Sequence, residues 1–150
     1  MTNDVVRLER NRTSLVITIN REERRNALNI AVAEGVVSGI ERAEADPECR
    51  SIILTGAGDR AFCAGGDLGK ERTGTPFEVD FENPRNFIVK LLRRMIDCRL
   101  PIIARVNGHA LAGGFGLLCA CDMAVAVESA RFGTPESRIG IFPMMILPHM

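Results

Sequence analysis

Apolar and polar positions alternate in two short stretches near the start of the chain, Val5 to Glu9 and Leu15 to Ile19, the second lying in the β-branched run SLVITIN. A period of two marks a strand with one buried face, and Asn11 to Thr13 reads as the connection of a hairpin. The period then lengthens. Val32, Val36, Ile40 and Ala43 recur at helical spacing, Asn29 stands where an N-cap belongs, and Pro47 lies beyond the end, so the pattern predicts a helix from about Ile30 to Ala45. Gly35 and Gly39 lower its intrinsic helicity. A second apolar stripe, Phe87, Ile88, Leu91, Leu92, Met95 and Ile96, predicts a helix opened by Pro84, with Lys90, Arg93, Arg94 and Asp97 facing water. Lys70 to Asn83 is polar, carries Gly74 and Pro76, and has no apolar period, which predicts a long loop of the kind that often covers a site.

Three further apolar runs read as strands: Ser51 to Thr55, Ile102 to Val106 and Met123 to Val127. The first two lead into glycine-rich turns, AFCAGGDL at Ala61 to Leu68 and NGHALAGGFG at Asn107 to Gly116, and the second turn continues as a short helix to about Ala120. Strands alternating with helices predict an α/β architecture in one domain over residues 1–150, with no internal repeat visible in the residues. Glycine permits the backbone conformations and close approaches that aim an amide at a ligand, and a helix start favours negative charge. Two such turns could enclose one oxygen as an oxyanion hole, each donor being worth about 3 kcal/mol to a developing enolate. A single glycine turn is more often only a tight strand-to-helix junction; the pair is more specific, but spacing alone names no reaction.

Composition narrows the possibilities. At 46% hydrophobic and 25% charged, the 150 residues have the balance of a globular protein with one ordinary core. Lys plus Arg equals Asp plus Glu at 19 each, so no global basic field attracts nucleic acid or an anionic membrane, and an anionic ligand must be met locally. No apolar stretch reaches the ~18 residues that span a bilayer, and MTNDVVRLER lacks the pattern of a secretory signal, which makes a cytoplasmic location the default expectation. Five scattered cysteines, Cys49, Cys63, Cys98, Cys119 and Cys121, suit reduced thiols better than a disulfide framework. Cys119 and Cys121 lie in an apolar helix-like segment with only two histidines in the chain, so no metal site is expected. Cys63, inside the first turn, has no neighbour in sequence that marks it as a nucleophile.

Four motifs in order, NALN at Asn26 to Asn29, AFCAGGDL, VNGHALAGGFGLLCACD at Val106 to Asp122, and ARFGTPESRIGIFP at Ala130 to Pro143, resemble the enoyl-CoA hydratase/isomerase, or crotonase, superfamily over nearly the whole chain. The resemblance implies a crotonase-like spiral of ββα units that lacks the usual C-terminal helical portion. It implies an acyl-CoA thioester as substrate, no separate cofactor because coenzyme A belongs to the substrate, and a homo-oligomer, usually a trimer or a dimer of trimers. By matching motif, the oxyanion amides would be those of Gly66 and Gly113. Arg25, Ala27 and Leu28 would touch the CoA moiety, and Ala64, Asp67 and Leu68 would line the acyl-pantetheine slot beside Gly66.

The departures from the family pattern carry the finer expectation. Hydratases of the family hold one glutamate three residues after the second oxyanion glycine and another in the later PE; here these positions are Gly116 and Glu136. A single carboxylate can remove a proton and return it elsewhere, whereas adding water is usually served by two, so Glu136 alone points to double-bond isomerisation. Hydration with a substitute acid such as Asp67 or Glu71 is the alternative, and a non-catalytic acyl-CoA-binding or assembly subunit is the rival from another class. GIFPMMILP at Gly140 to Pro148 replaces a glycine-rich stretch, and Met144, Met145 and Ile146 are expected to make that wall bulky and apolar. Family members are markedly longer, so Ile141, Phe142, Met144 and Met145 are expected to lie partly uncovered.

Overall fold

The computed structural model describes residues 5–68, 86–140 and 142–150. The expected loop at Lys70 to Asn83, the helix-opening Pro84, and Glu71 and Ile141 fall outside these residues. The chain opens with the expected hairpin, β1 (Val6–Asn11) antiparallel to β2 (Ser14–Ile19), turned at Arg12 with φ 53°. Helix α1 (Ile30–Ala45) follows, capped by Asn29, whose side chain accepts the amide of Val32 at 2.9 Å. Its buried face includes Val32, Val36, Ile40 and Ala43, the residues that the helical period picked out. Gly35 and Gly39 have a packing reason: a Cβ there would stand 2.7 Å from Val6 Cγ2 and from Ile17 Cδ1, so the glycines let α1 settle onto the hairpin.

From here the chain winds in a spiral. Strands β3 (Ser51–Gly56), β5 (Ile102–Val106) and β7 (Met123–Ala126) extend the first sheet, and β4 (Ala61–Cys63), β6 (His109–Leu111) and β8 (Phe132–Gly133) build a second one. The strand orders are β1-β2-β3-β5-β7 and β4-β6-β8, and every pairing after the hairpin is parallel. Each turn of the spiral thus gives one strand to each sheet. The repeat that the residues did not show exists in the backbone, because what recurs is a path of the chain rather than a set of side chains. Strand β6 lies inside what reads in sequence as one glycine turn.

Helix α2 (Phe87–Ile96) is capped by Asn86, which accepts the amide of Ile88, and buries Ile88, Leu91, Leu92 and Met95. Ile96, expected in that stripe, is 57% exposed at the last turn. Arg94, expected in water, turns instead to Glu44 at 2.5 Å, and the amide of Arg99 also donates to Glu44 at 2.8 Å. The Arg99 amide and the Arg94 guanidinium hold the Glu44 carboxyl below its ordinary value of 4.5. Its contribution to stability is present above that value and is lost as pH falls through the lowered one. Apolar residues of β2, β3 and β5, namely Leu15, Ile17, Ile52, Leu54 and Ile102, join the two helix faces in one core. No helix among the described residues is long and apolar enough to cross a membrane. Met123, Val125 and Val127 on and after β7, with Phe132, Phe142 and Met144, form exposed apolar surface, while Met145 is partly buried. Met144, at 71% exposure, is therefore not part of an inner wall.

Candidate functional site

Three parallel neighbours, β4, β6 and β8, leave their sheet at one edge, and each exit carries a residue singled out in the sequence. Cys63 is followed by Ala64, Gly65 and Gly66; Leu111 by Ala112 and Gly113; Gly133 by Thr134, Pro135 and Glu136. Outside the carboxyl ends of parallel strands is where α/β sheets commonly bind ligands.

The first exit is held by the loop at residues 21–28. The amide of Leu28 donates to the carbonyl of Gly65 at 2.7 Å, and the carbonyl of Leu28 accepts the amide of Asp67 at 2.8 Å. Clasped on both sides in this parallel bridge, Gly66 is left with its own N–H pointing away from Leu28. The Arg21 guanidinium ties the same turn down, bonding Asp67 at 2.6 Å and the carbonyl of Ala27 at 2.7 Å. Buried Asn26 donates to the carbonyls of Ala57 and Ala61 and accepts the amide of Arg21, fixing the loop against the end of β3 and the start of β4.

The second exit is set by backbone geometry. Ala112 sits at φ 53° and ψ −127°, a region that side-chain-bearing residues rarely enter, and it caps α3 (Gly113–Cys119). Its amide donates to the carbonyl of Gly133 at 2.9 Å, which fastens this turn to the β8 exit, three residues before Glu136. A Cβ placed on Gly113 would have the Gly66 nitrogen as its nearest neighbour, at 3.6 Å, with Gly65 Cα and Leu28 Cδ1 at 3.7 Å. The start of α3 thus lies against the Gly66 amide, and among the described residues neither the Gly66 nor the Gly113 N–H is paired with an acceptor. Asn107 braces the approach to this turn, accepting the amide of Gly56 at 3.0 Å and donating to the carbonyl of Gly58 at 2.8 Å.

At the third exit, Glu136 lies in a 3₁₀ turn at Pro135–Ile139, and its Oε2 is buried with no hydrogen-bond partner among the described residues. A buried carboxylate oxygen without a partner is uncommon in folded proteins and calls for a reason. Gly116, one turn into α3, is roofed by Ile146 from the segment after Pro143.

Among the remaining expected site residues, Ala27 and Leu28 are buried, Asp67 is half-buried in its ion pair with Arg21, and Leu68 is 67% exposed. Arg25 is exposed at φ 52°, and its carbonyl accepts the amide of Ala64 at 3.0 Å. With Arg60, His109, Ala64 and Leu111 it lines a cleft of about 460 Å³ that runs up to the first two exits. Burial pushes the Cys63 thiol up to about 12, so it is a packing residue and not a nucleophile. The residues missing from the sequence reading are Arg21, Asn26, Asn107 and the placement of Ile146. An asparagine with a left-handed backbone, as Asn26 has, is the one signal that a closer reading of the NALN motif could have used.

Comparison with known proteins fits this geometry. The spiral is the crotonase fold: an enoyl-CoA hydratase from Bacillus anthracis superposes with a TM-score of 0.83 at 34% identity, covering 96% of this chain and 57% of that one. A carnitinyl-CoA dehydratase from Mycobacterium avium gives 0.77 at 42% identity, covering 94% and 52%. The enoyl-CoA hydratase/isomerase family model matches residues 9–150, and the chain belongs to that family. A short-chain-enoyl-CoA hydratase of Clostridium acetobutylicum is 38% identical over 144 residues, which are 94% of this chain and 53% of the relative. The chain spans about half the length of the curated relatives it matches.

Proposed function

We propose that this chain binds an acyl-CoA thioester and moves a double bond along its acyl chain through an enolate, with Glu136 as the only proton carrier. The observation that carries this reading is Gly113. It has no positive φ, and the nearest described atoms to a Cβ there, at 3.6 to 3.7 Å, belong to Gly66, Gly65 and Leu28, so a side chain would fill the space between the two amides at ordinary contact distance rather than disturb the fold. A thioester oxygen suits that space. Arg25 and Arg60, in the cleft that leads to it, suit the phosphates of a CoA handle.

In the reaction, the Glu136 carboxylate takes a proton from C2 of a 3-enoyl thioester. The C–H electrons pass into the carbonyl, whose oxygen gains charge between the Gly66 and Gly113 amides, each supplying about 3 kcal/mol. The dienolate then takes the same proton from Glu136 at C4, leaving the double bond between C2 and C3 and the carboxylate regenerated. Coenzyme A is carried by the substrate, and no further cofactor enters.

A second reading, hydration of a 2-enoyl thioester, is favoured by the names of relatives such as the Clostridium short-chain-enoyl-CoA hydratase. Against it, Asp67, the one of the two substitute acids that lies within the described residues, has its carboxylate bound to Arg21. Glu136→Gln keeps the shape of the side chain and removes the proton acceptor, so isomerisation of a 3-enoyl-CoA should fall by roughly 10² to 10⁴. Acyl-CoA affinity measured by calorimetry should stay near that of the unmodified chain. Retained turnover sinks the assignment, and lost binding makes Glu136 a structural residue. Crotonyl-CoA hydration faster than isomerisation by the unmodified chain selects the second reading.

A further inference from the structure

We propose that Ile146 determines which reaction the site performs, by occupying the place on α3 where a second carboxylate would stand and keeping water away from the reacting carbons. The proposal rests on the enolate chemistry of the preceding section and adds to it the reason that the proton stays with the substrate.

Ile146 is 3% exposed, while its neighbours Met144 and Leu147 are 71% and 49% exposed. Among residues 142–150 it is the one that the segment buries. A short turn holds it in position: the amides of Ile146 and Leu147 both donate to the carbonyl of Pro143, and the carbonyl of Ile146 accepts the amide of His149 at 2.9 Å. A Cβ on Gly116 would collide with Ile146 Cγ2 and stand 2.6 Å from its Cβ. These atoms are at the branch point of a β-branched side chain, which has little rotameric freedom to move aside. Gly116 is thus glycine because Ile146 lies on it. No side chain, and in particular no carboxylate, fits at that position of the helix.

The chemical consequence follows from what isoleucine lacks. A water molecule poised to attack an enoyl carbon needs two or more polar partners to hold it. Two methyl-bearing branches over a bare glycine provide none; among the described residues, the buried side-chain atoms without a hydrogen-bond partner are Glu136 Oε2 and, three residues after Ile146, His149 Nδ1. In such a site the proton on Glu136 has no water to exchange with, so it returns to the acyl chain. The substrate class is a 3-enoyl thioester, and hydration of a 2-enoyl thioester is disfavoured by the side chain that covers Gly116 rather than by Glu136 itself.

Two measurements on the same chain test this. In a double-mutant cycle read by chemical unfolding, Gly116→Ala should lower stability when Ile146 is present. With Ile146→Gly, which removes the Cβ as well as the branches, Gly116→Ala should become neutral or stabilising, as alanine normally is in a helix. Additive effects would remove Ile146 from Gly116 and overturn the proposal. In the second measurement, a 3-enoyl-CoA deuterated at C2 is converted, and the label at C4 of the product is read by mass spectrometry. The unmodified chain should retain most of the transferred label; Ile146→Gly should lose it to solvent several-fold more and should hydrate crotonyl-CoA faster relative to isomerisation. Normal turnover with unchanged retention and an unchanged ratio overturns this proposal alone. No turnover of the 3-enoyl-CoA by the unmodified chain overturns the enolate reading, and this one with it.

Discussion

Gly65 and Gly113 stand on facing turns a few ångströms apart, yet glycine is there for opposite reasons. Gly65 has φ 104°, and a Cβ on it would stand 2.8 Å from the Ala112 Cβ and 3.2 Å from the Leu111 carbonyl. The fold requires glycine at that point. Gly113 has an ordinary helix-start backbone, and a Cβ on it would meet nothing closer than 3.6 Å. The fold would accept alanine there, whereas the proposed oxyanion space would not. The first turn is also secured by side chains, through Arg21 to Asp67 and Asn26 to two carbonyls, whereas the second is secured by the backbone of Ala112 and the start of α3. Two glycines with similar sequence surroundings thus separate into one that the fold requires and one that it does not, for which the proposed oxyanion role supplies the reason.

The largest effect expected from breaking this contrast belongs to Gly113→Ala. The added methyl occupies the oxyanion space, so kcat/KM for a 3-enoyl-CoA should fall by about 10² to 10³, the loss typical of one oxyanion donor. The unfolding midpoint in denaturant should hold or rise, because alanine is the better helix former. A parallel loss of stability and activity would make Gly113 a folding glycine like its neighbour. Gly65→Ala should do the reverse. A left-handed backbone with a side chain and a Cβ–Cβ clash together cost about 2 to 4 kcal/mol in unfolding free energy. Activity per folded molecule should drop only as far as the Gly66 amide is displaced, and an unchanged unfolding curve would contradict the geometry of the first turn.

That contrast also marks how far the sequence could be read. Local signals were enough for α1, where an asparagine cap, a 3.6-residue period and Pro47 agree, and for β5 and β7, whose apolar runs match the strands to within a residue. The two glycine turns were legible as a pair because each follows a strand run. The difference between Gly65 and Gly113 was not, since it depends on φ and on atoms of the facing turn. Arg21 and Asp67 are 46 residues apart and Gly116 and Ile146 are joined only in space, so no period or motif links them. Strand β6 was hidden for a related reason: three residues between glycine and alanine carry no alternation, and their pairing with β4 and β8 decides the conformation. Ile96 fits the apolar period of α2 but sits in its last turn, where the core no longer covers that face.

The smallest expected effect is the most discriminating. Ala112 holds φ 53° and ψ −127° with a side chain attached, a conformation that costs of order 1 to 3 kcal/mol and is natural for glycine. Glycine in turn loses about 0.5 to 1 kcal/mol of backbone entropy on folding, so Ala112→Gly should stabilise the chain by about 1 kcal/mol in chemical unfolding. The same change loosens the residue that aims the Gly113 amide, and turnover should fall several-fold while acyl-CoA still binds. Stability and activity moving in opposite directions identify backbone strain at the second turn as part of the site; a loss of both would show that Ala112 is held by packing alone. Combining Ala112→Gly with Gly65→Ala then divides the cost at the first turn. The Cβ–Cβ clash is gone in the double variant and the φ of 104° remains, so the penalty of Gly65→Ala should shrink by its steric share and keep its conformational share. A penalty that does not shrink would mean that the two turns do not touch, and the shared space between the Gly66 and Gly113 amides would go with that contact.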